Sequence, residues 1–398
     1  MQMSQPTTAA DGKAVNAEKR RKYELKQKRK QEIVERESKR SQWIAANSHF
    51  ACVVGPDDVE NIRHEKQALA GEKRKSSEVD GSSMDGTQLA ELIAPYLDLK
   101  ESDHSKGLFI AEGTETVRLL VQQLTKDNNC TDGNSHNGER KPIQVLSILV
   151  RPSTFFEDPV KLISDVLSAC SPRIHVLIAS EDVQSRIAGF HIARGALACG
   201  VIPQYDEKWL DAFVSNRTKA KIDGGGDPSQ LPAGIRILAL DGISDTANMG
   251  AMIRCCAAFG IDLILLSKDC CDAWYRRSIR TSMGYIVSIP IVRCGNLSLM
   301  LSNLEKLQGI SSFAAVIDLD SELVLERMER GEVPPRWCCV MGNEANGISK
   351  EVVASCSSRL RIGMTGGVDS LSVPVATGIL LHGFVEREAS TDDKNRNS

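Results

Sequence analysis

Three stretches in the second half of the chain carry more polar side chains and glycine than packing alone requires. The first, "LDGISDTANMGAMIRCCAAFG" (240–260), follows an apolar run. It places Asn248 and Gly250 where a helix opens, with Arg254 further along among the small residues Ala251, Cys255, Ala257 and Ala258. A helix N-terminus gathers free N–H groups that favour an anion, and a neighbouring arginine adds a fixed positive charge. The second, "VMGNEANGIS" (340–349), ends an apolar run in Gly342-Asn343-Glu344. Gly342 would let a ligand lie against the backbone, while Glu344 projects a carboxylate into the same mouth. The third, "GVDSLSVPVATGILLHGF" (367–384), reads as an apolar helix from Pro374 onward, yet Ser370 and Ser372 put two hydroxyls where a plain core helix needs one cap. Each stretch also has an ordinary reading, as a turn, a cap, or an ion pair between Arg254 and Glu344. Their coincidence in one region is what points to a site.

These stretches need a frame, and the pattern of apolar runs supplies one. Candidate strands at 235–241, 261–266, 286–292, 313–318, 337–341 and 359–363 alternate with helices, which makes a mostly parallel sheet the economical arrangement. In such sheets ligands bind beyond the carboxyl ends of the strands, where all three stretches fall. A smaller α/β unit precedes it, with strands at 107–113, 143–150, 174–180 and 198–203 and helices at 114–124, 159–170 and 181–190. The glycines and prolines of "KIDGGGDPSQLPAG" separate the two units. The division is a basic, largely helical or disordered arm (1–64), a linker with a short helix (65–100), the first α/β domain (101–220), a linker (221–234), the second α/β domain (235–389) and a polar tail (390–398).

With 398 residues, 41% of them apolar, the chain can bury a sizeable core, and no run approaches the ~20 apolar residues of a spanning helix. The net charge of −3 hides an asymmetry. Between Lys13 and Arg40 twelve Lys and Arg face five Glu, a local +7 that leaves about −10 for the rest. That segment reads as a solvated helix with Glu and Lys or Arg at i, i+4, either a charged surface tail or a contact for RNA phosphates. The twelve cysteines form no C-x-x-C pair and include doublets inside apolar stretches, as small buried thiols would. A reducing compartment without a zinc site follows. The N-terminus lacks the apolar core of a secretory signal and carries early glutamates, favouring cytosol or nucleus with an organelle left open. Dinucleotide (G-x-G-x-x-G), P-loop and G-x-S-x-G motifs are absent from the sequence.

In order, "DTANMGAMIRCCAAFG", "IRTSMGYIVSIPIV", "VMGNEANGIS" and "LRIGMTGGVDSLSVPVATGILL" closely resemble the motifs of the SpoU, or TrmH-like, RNA ribose 2′-O-methyltransferases of the SPOUT superfamily. The first α/β unit is similar to the ribosomal protein L30e-like RNA-binding module of that family. The resemblance implies a deep trefoil knot in the C-terminal domain, a homodimer formed through that domain, and S-adenosylmethionine as cofactor. It further implies that Gly342, Ile362 and Leu371 hold the cofactor mainly through backbone groups, with Met364 and Ser370 nearby. Asn248, Arg254 and Glu344 would stand in the catalytic mouth, Glu344 fixing the geometry of Arg254, and Ser282 and Gly284 would serve close packing or an interface. The implied substrate is a transfer or ribosomal RNA. Two positions depart from the pattern: Gly363 stands where the family has proline, and Ser372 where it commonly has asparagine, so Ser372 is the position at which substrate handling can differ. The competing expectation is an RNA- or ribosome-binding protein that keeps the knotted fold without catalysis.

Overall fold

The computed structural model describes residues 9–48, 51–69, 86–97, 99, 107–128, 139–153, 174–192, 195–219, 234–318, 320–365 and 370–388. Residues 70–85 of the linker expected after residue 65, the polar loop after 128, the helix expected at 159–170, the boundary segment 221–233 and the tail after 388 lie outside those residues.

The first sheet contains β1 (Ala51–Val53), β2 (Leu108–Glu112), β3 (Gln144–Val150), β4 (His175–Ile178) and β5 (Ala196–Val201), in the order β1-β4-β3-β5-β2. β1, β4 and β3 run parallel, whereas β5 is antiparallel to both its neighbours. Here the structure moves a boundary. Residues assigned from sequence to the arm and linker belong to this domain: β1 pairs with β4 at the sheet edge, and Ile93, Tyr96, Leu97 and Leu99 are buried in its core. The Tyr96 hydroxyl reaches the backbone oxygen (2.9 Å) and Oγ (3.0 Å) of Ser147 on β3. A three-residue edge strand and a single buried tyrosine leave no periodicity to read, which is why the sequence places the boundary too late.

The second sheet has seven strands: β6 (Ile235–Asp241), β7 (Leu263–Leu266), β8 (Ile291–Arg293), β9 (Ser311–Ala315), β10 (Leu323–Val324), β11 (Arg336–Gly342) and β12 (Ser358–Arg361). Their order is β10-β12-β9-β11-β6-β7-β8, and every described pairing is parallel. β6 and β11 sit inside it and are buried almost end to end, as their unbroken apolar runs require of strands covered on both faces. The strand expected at 286–292 is mostly something else. Residues Tyr285–Ser288 form a 3-10 turn after Gly284, whose φ of +83° reverses the chain, and only Ile291–Arg293 extends. Pro290, lacking an N–H, confines the strand to the residues beyond it.

The two domains are seated on one another. Phe109 of β2 lies 5.1 Å from Trp274, ring centre to ring centre. The nearly buried carboxylate of Glu112 faces Arg276 (3.8 Å) and Arg280 (3.7 Å) on the Arg276–Thr281 helix. Gly284 packs on Thr116 so closely that a Cβ would come within 3.2 Å of its methyl, and Ser282 is fully buried with its hydroxyl donating to the Ile279 carbonyl (2.9 Å). If residues 86–99 are part of the first domain, Tyr96→Phe strands the buried Ser147 oxygens and lowers its stability by about 1–2 kcal/mol. Urea unfolding followed by near-UV signals from that domain reads the shift, and an unchanged midpoint contradicts the assignment.

Candidate active site

The site starts from a register. Gly342 and Asp241, the last residues of β11 and β6, lie side by side in the parallel ladder, so the loops that leave these strands begin together. The Asp241 carboxylate accepts the Ser349 N–H (2.8 Å) and pins the far end of the second loop to the end of β6. Asn343 ties the two loops directly, donating from Nδ2 to the Gly242 carbonyl (2.7 Å) while its Oδ1 accepts from the N–H of Ala345 (2.8 Å) and Asn346 (3.2 Å). Reciprocal backbone bonds between Asn343 and Gly347, both 2.9 Å, close the turn. The turn folds back over Gly342, where a Cβ would stand 2.2 Å from the Gly347 carbonyl carbon and the Ile348 nitrogen. The glycine that the sequence suggests as a seat for a ligand is therefore also required by the loop itself.

The first loop leads into the Thr246–Ala258 helix. Asp245 caps it, its carboxylate accepting from the N–H of Ala247 (2.6 Å) and Asn248 (2.9 Å). The Asn248 N–H bond is the main reason its carboxyl lies below the ordinary aspartate value. Met249, Met252, Ile253 and Cys256 turn into the core, leaving Asn248 half-buried and Arg254 exposed. Gly250 does not open the helix. It admits the Arg276–Thr281 helix, since a Cβ there would meet the Ser278 carbonyl at 2.4 Å.

Asn248 and Glu344 meet: Nδ2 of Asn248 donates to Oε1 of Glu344 at 2.6 Å. The expected grip of Glu344 on Arg254 is not present. Among the described residues Arg254 makes no hydrogen bond or ion pair, and the carboxylate of Glu344 meets Asn248 instead. Arg254 does act at short range on the adjacent Cys255, whose thiol is pushed up by burial and drawn down by the guanidinium.

The third stretch begins where β12 ends at Arg361. Ile362 and Met364 are half-buried, and between them the Gly363 N–H donates to the Glu326 carboxylate (2.7 Å). A proline at 363 would have no hydrogen to offer, so this chain holds the loop through a contact that the family's usual residue excludes. Residues 366–369, part of the expected turn, lie outside the described residues. Beyond them Ser370 is exposed and Leu371 half-buried, and Ser372 occupies the cap position of the Val373–Arg387 helix without a side-chain cap bond. That helix, with Pro374 in its first turn, packs back on the Thr246–Ala258 helix: the Cys255 thiol faces the Pro374 carbonyl (4.0 Å) and Gly378 (3.5 Å from the position of a Cβ). No hydrogen bond among the described residues links Ser370 or Ser372 to the Asn248–Glu344 pair.

Sequence reasoning misses Asp245, the Asn343 tie and Glu326. Asp245 carries the usual capping signal, a short acceptor immediately before a helix. Glu326 carries none, since 37 residues separate it from its partner. Among the described residues no group of three or more His, Cys, Asp or Glu could hold a metal ion. The backbone groups of Met364 and Leu371 make no hydrogen bond within the described residues, and with the half-buried side chains of Ile362 and Leu371 they offer unspent donors and acceptors beside an apolar wall. A nucleoside with a flat, hydrogen-bonding base fits such a lining.

The arrangement has counterparts. The fold is that of an AdoMet-bound rRNA methyltransferase from Sinorhizobium meliloti (TM-score 0.52, 20% identity, 73% of this chain and 93% of that one). It is equally that of the SpoU methyltransferase AviRb from Streptomyces viridochromogenes (TM-score 0.52, 16% identity, 74% and 96%). Residues 236–382 match the model of the SpoU rRNA Methylase family. That stretch, the second domain, is SpoU/TrmH-like. A 23S rRNA (guanosine-2′-O-)-methyltransferase of Xanthomonas axonopodis pv. citri is 33% identical over 145 residues, 36% of this chain and 56% of that protein. An uncharacterized tRNA/rRNA methyltransferase of Mycobacterium tuberculosis is 28% identical over 218 residues, 53% of this chain; the match covers 65% of that relative's length.

The cap on the Thr246–Ala258 helix gives a test of its own. Asp245→Ala should cost about 1 kcal/mol of stability, whereas Asp245→Asn, a good cap without a charge, should cost less. Because the folded carboxyl lies below its unfolded value, its contribution is complete above the ordinary aspartate range and is lost as pH falls through the folded value. Unfolding midpoints measured between about pH 2 and 6 should therefore fall less steeply with acid in Asp245→Asn than in the parent; parallel curves contradict the cap.

Proposed function

We propose that the chain transfers a methyl group from S-adenosylmethionine to a ribose 2′-hydroxyl of transfer or ribosomal RNA. The observation that carries this reading is the mouth at the ends of β6 and β11, where Asn248, on the same helix as the internally unpartnered Arg254, is bonded to Glu344 across loops tied together by Asn343. A ribose hydroxyl is a poor nucleophile until its proton leaves, and Arg254 is suited to help it. A guanidinium stays charged at any physiological pH, so its role is to stabilise the developing alkoxide and not to abstract the proton. Having no partner among the described residues, it is free to take one from the substrate. Water or an RNA phosphate would accept the proton.

Asn248 would orient the ribose, its own amide fixed by Glu344. Glu344 then positions Asn248, a different task from the one the family resemblance suggests. Gly342, Ile362, Met364, Ser370 and Leu371 would hold the cofactor, chiefly through backbone groups. When bound, S-adenosylmethionine supplies an electrophilic sulfonium methyl. Ser372, whose hydroxyl forms no cap bond, would contact the substrate in place of the usual asparagine.

The same reading includes a trefoil knot, supported by the return of the Val373–Arg387 helix onto the Thr246–Ala258 helix after β12, and an L30e-like role for the first domain in gripping RNA. A homodimer through the C-terminal domain is supported by Val375 and Ile379, exposed at i, i+4 on the final helix with His382 one turn on. Ile379→Asp should sediment as a monomer where the parent sediments as a dimer; identical sedimentation removes that interface.

Arg254→Ala tests the central residue. Methyl transfer to total RNA should fall by about 100-fold or more while calorimetric affinity for S-adenosylmethionine stays within about twofold. Full turnover in the variant, or loss of cofactor affinity in parallel with activity, contradicts the role.

A further inference from the structure

The pairing at the edge of the second sheet continues one step beyond its last strand residue. β10 is the edge strand and runs parallel to β12, with Leu323 beside Leu360 and Val324 beside Arg361, a constant offset of 37 residues. After Val324 the backbone leaves the ladder, because Leu325–Arg327 form a 3-10 turn. The offset nevertheless recurs. The Glu326 carboxylate accepts the Gly363 N–H at 2.7 Å, again across 37 residues. A side chain therefore supplies the acceptor that a neighbouring backbone supplies in a regular ladder, and it does so inside the stretch Ile362–Met364, past the end of β12 at Arg361.

The turn that carries Glu326 is anchored by the final helix. Leu325 is buried, and its methyl carbons lie 2.8 Å from where a Cβ of Gly383 would stand on the Val373–Arg387 helix. The Met328 carbonyl accepts from Nε of Arg387 (2.9 Å), and the Gly331 N–H donates to the Arg387 carbonyl (2.9 Å). The root of the carboxylate is thus held independently of the loop that it grips. Among the described residues Glu326 makes no other hydrogen bond or ion pair. Gly363 admits the contact, since a Cβ there would stand 2.8 Å from Oε2 of Glu326. Glycine also creates the need for it: proline fixes its own φ, whereas glycine leaves the backbone free unless something outside restrains it.

We infer that Glu326 is a positioning residue for the cofactor. By holding the Gly363 N–H it keeps Ile362 and Met364 in the arrangement that receives S-adenosylmethionine, replacing from outside the restraint that the family's usual proline builds in. The inference rests on the proposed function for the cofactor-holding role of Ile362 and Met364; the bond and its register do not. Glu326 acts through Gly363 and not on the reacting atoms, so its loss lowers cofactor affinity and spares the chemical step at saturating cofactor. A loop that keeps its binding form only about a third of the time loses about threefold in apparent affinity.

The test uses the full chain, with S-adenosylmethionine affinity measured by calorimetry and methyl transfer measured on total RNA. Glu326→Ala should bind the cofactor at least about threefold more weakly, while transfer at saturating cofactor stays within about twofold of the parent. Glu326→Gln keeps an acceptor oxygen and should recover most of the loss. In a Gly363→Pro background, which has no N–H to hold, adding Glu326→Ala should change affinity by less than about twofold. A smaller loss than threefold in Glu326→Ala overturns the inference. So does an equal loss in Glu326→Gln or in the proline background, because a purely structural carboxylate would not depend on an acceptor oxygen or on residue 363. The Ala and Gln comparison decides even if Gly363→Pro fails to fold. Amide exchange in a peptide covering residues 359–365 of the parent, with and without cofactor, separates the two proposals. Cofactor binding that leaves exchange there unslowed removes Ile362 and Met364 from the cofactor site, and the role of Glu326 with them. Slowed exchange together with parent-like affinity in Glu326→Ala sinks the role of Glu326 alone.

Discussion

The geometry of the mouth depends on the contact between Gly342 and the turn that lies on it. Parallel pairing sets Gly342 beside Asp241, and because Gly342 has no side chain the Gly347–Ile348 backbone can rest directly against it. Only then does Asn343 reach the Gly242 carbonyl, and only then does Glu344 arrive within hydrogen-bond distance of Asn248. Two loops separated by about a hundred residues become one surface through a missing methyl group. A Cβ at 342 would have to displace backbone, which cannot swing aside as the end of a flexible side chain can.

That surface shows a division of labour. The bonds that shape it are internal and complete: Asp241 to Ser349, Asn343 to Gly242, Asp245 to the first turn of its helix. Those bonds do not use Arg254, the group that the proposed function assigns to the substrate. An arginine locked to Glu344 would have to break its ion pair and then reorient before reaching an alkoxide. With Glu344 bonded to Asn248, the proposed role of Arg254 would carry neither cost. The first domain is coupled to this arrangement, since the Arg276–Thr281 helix touches Glu112 on one side and Gly250 of the Thr246–Ala258 helix on the other.

Much of this is legible in the chain. The alternating apolar runs predict the parallel sheet, and most of the second domain's strands fall within a few residues of where the periodicity puts them. Asn248, Arg254 and Glu344 stand out as polar residues at strand ends. What the sequence hides are relations that require the folded register. The Glu326–Gly363 bond joins positions 37 residues apart, and β1 is too short to show alternation although it completes the first sheet. The pairing of Glu344 is hidden for the same reason: charge alone favours an arginine, whereas proximity gives it an asparagine.

The chemical nature of the product tests the catalytic role of the mouth most directly. Total RNA incubated with the chain and S-[methyl-³H]adenosylmethionine, then hydrolysed in alkali, should leave the label in alkali-resistant dinucleotides, because a methylated 2′-oxygen cannot attack its neighbouring phosphate. Label in mononucleotides would mean methylation of a base, and RNA without label under conditions where the cofactor binds would mean that the mouth does not catalyse; either result contradicts the roles assigned to Arg254, Asn248 and Glu344.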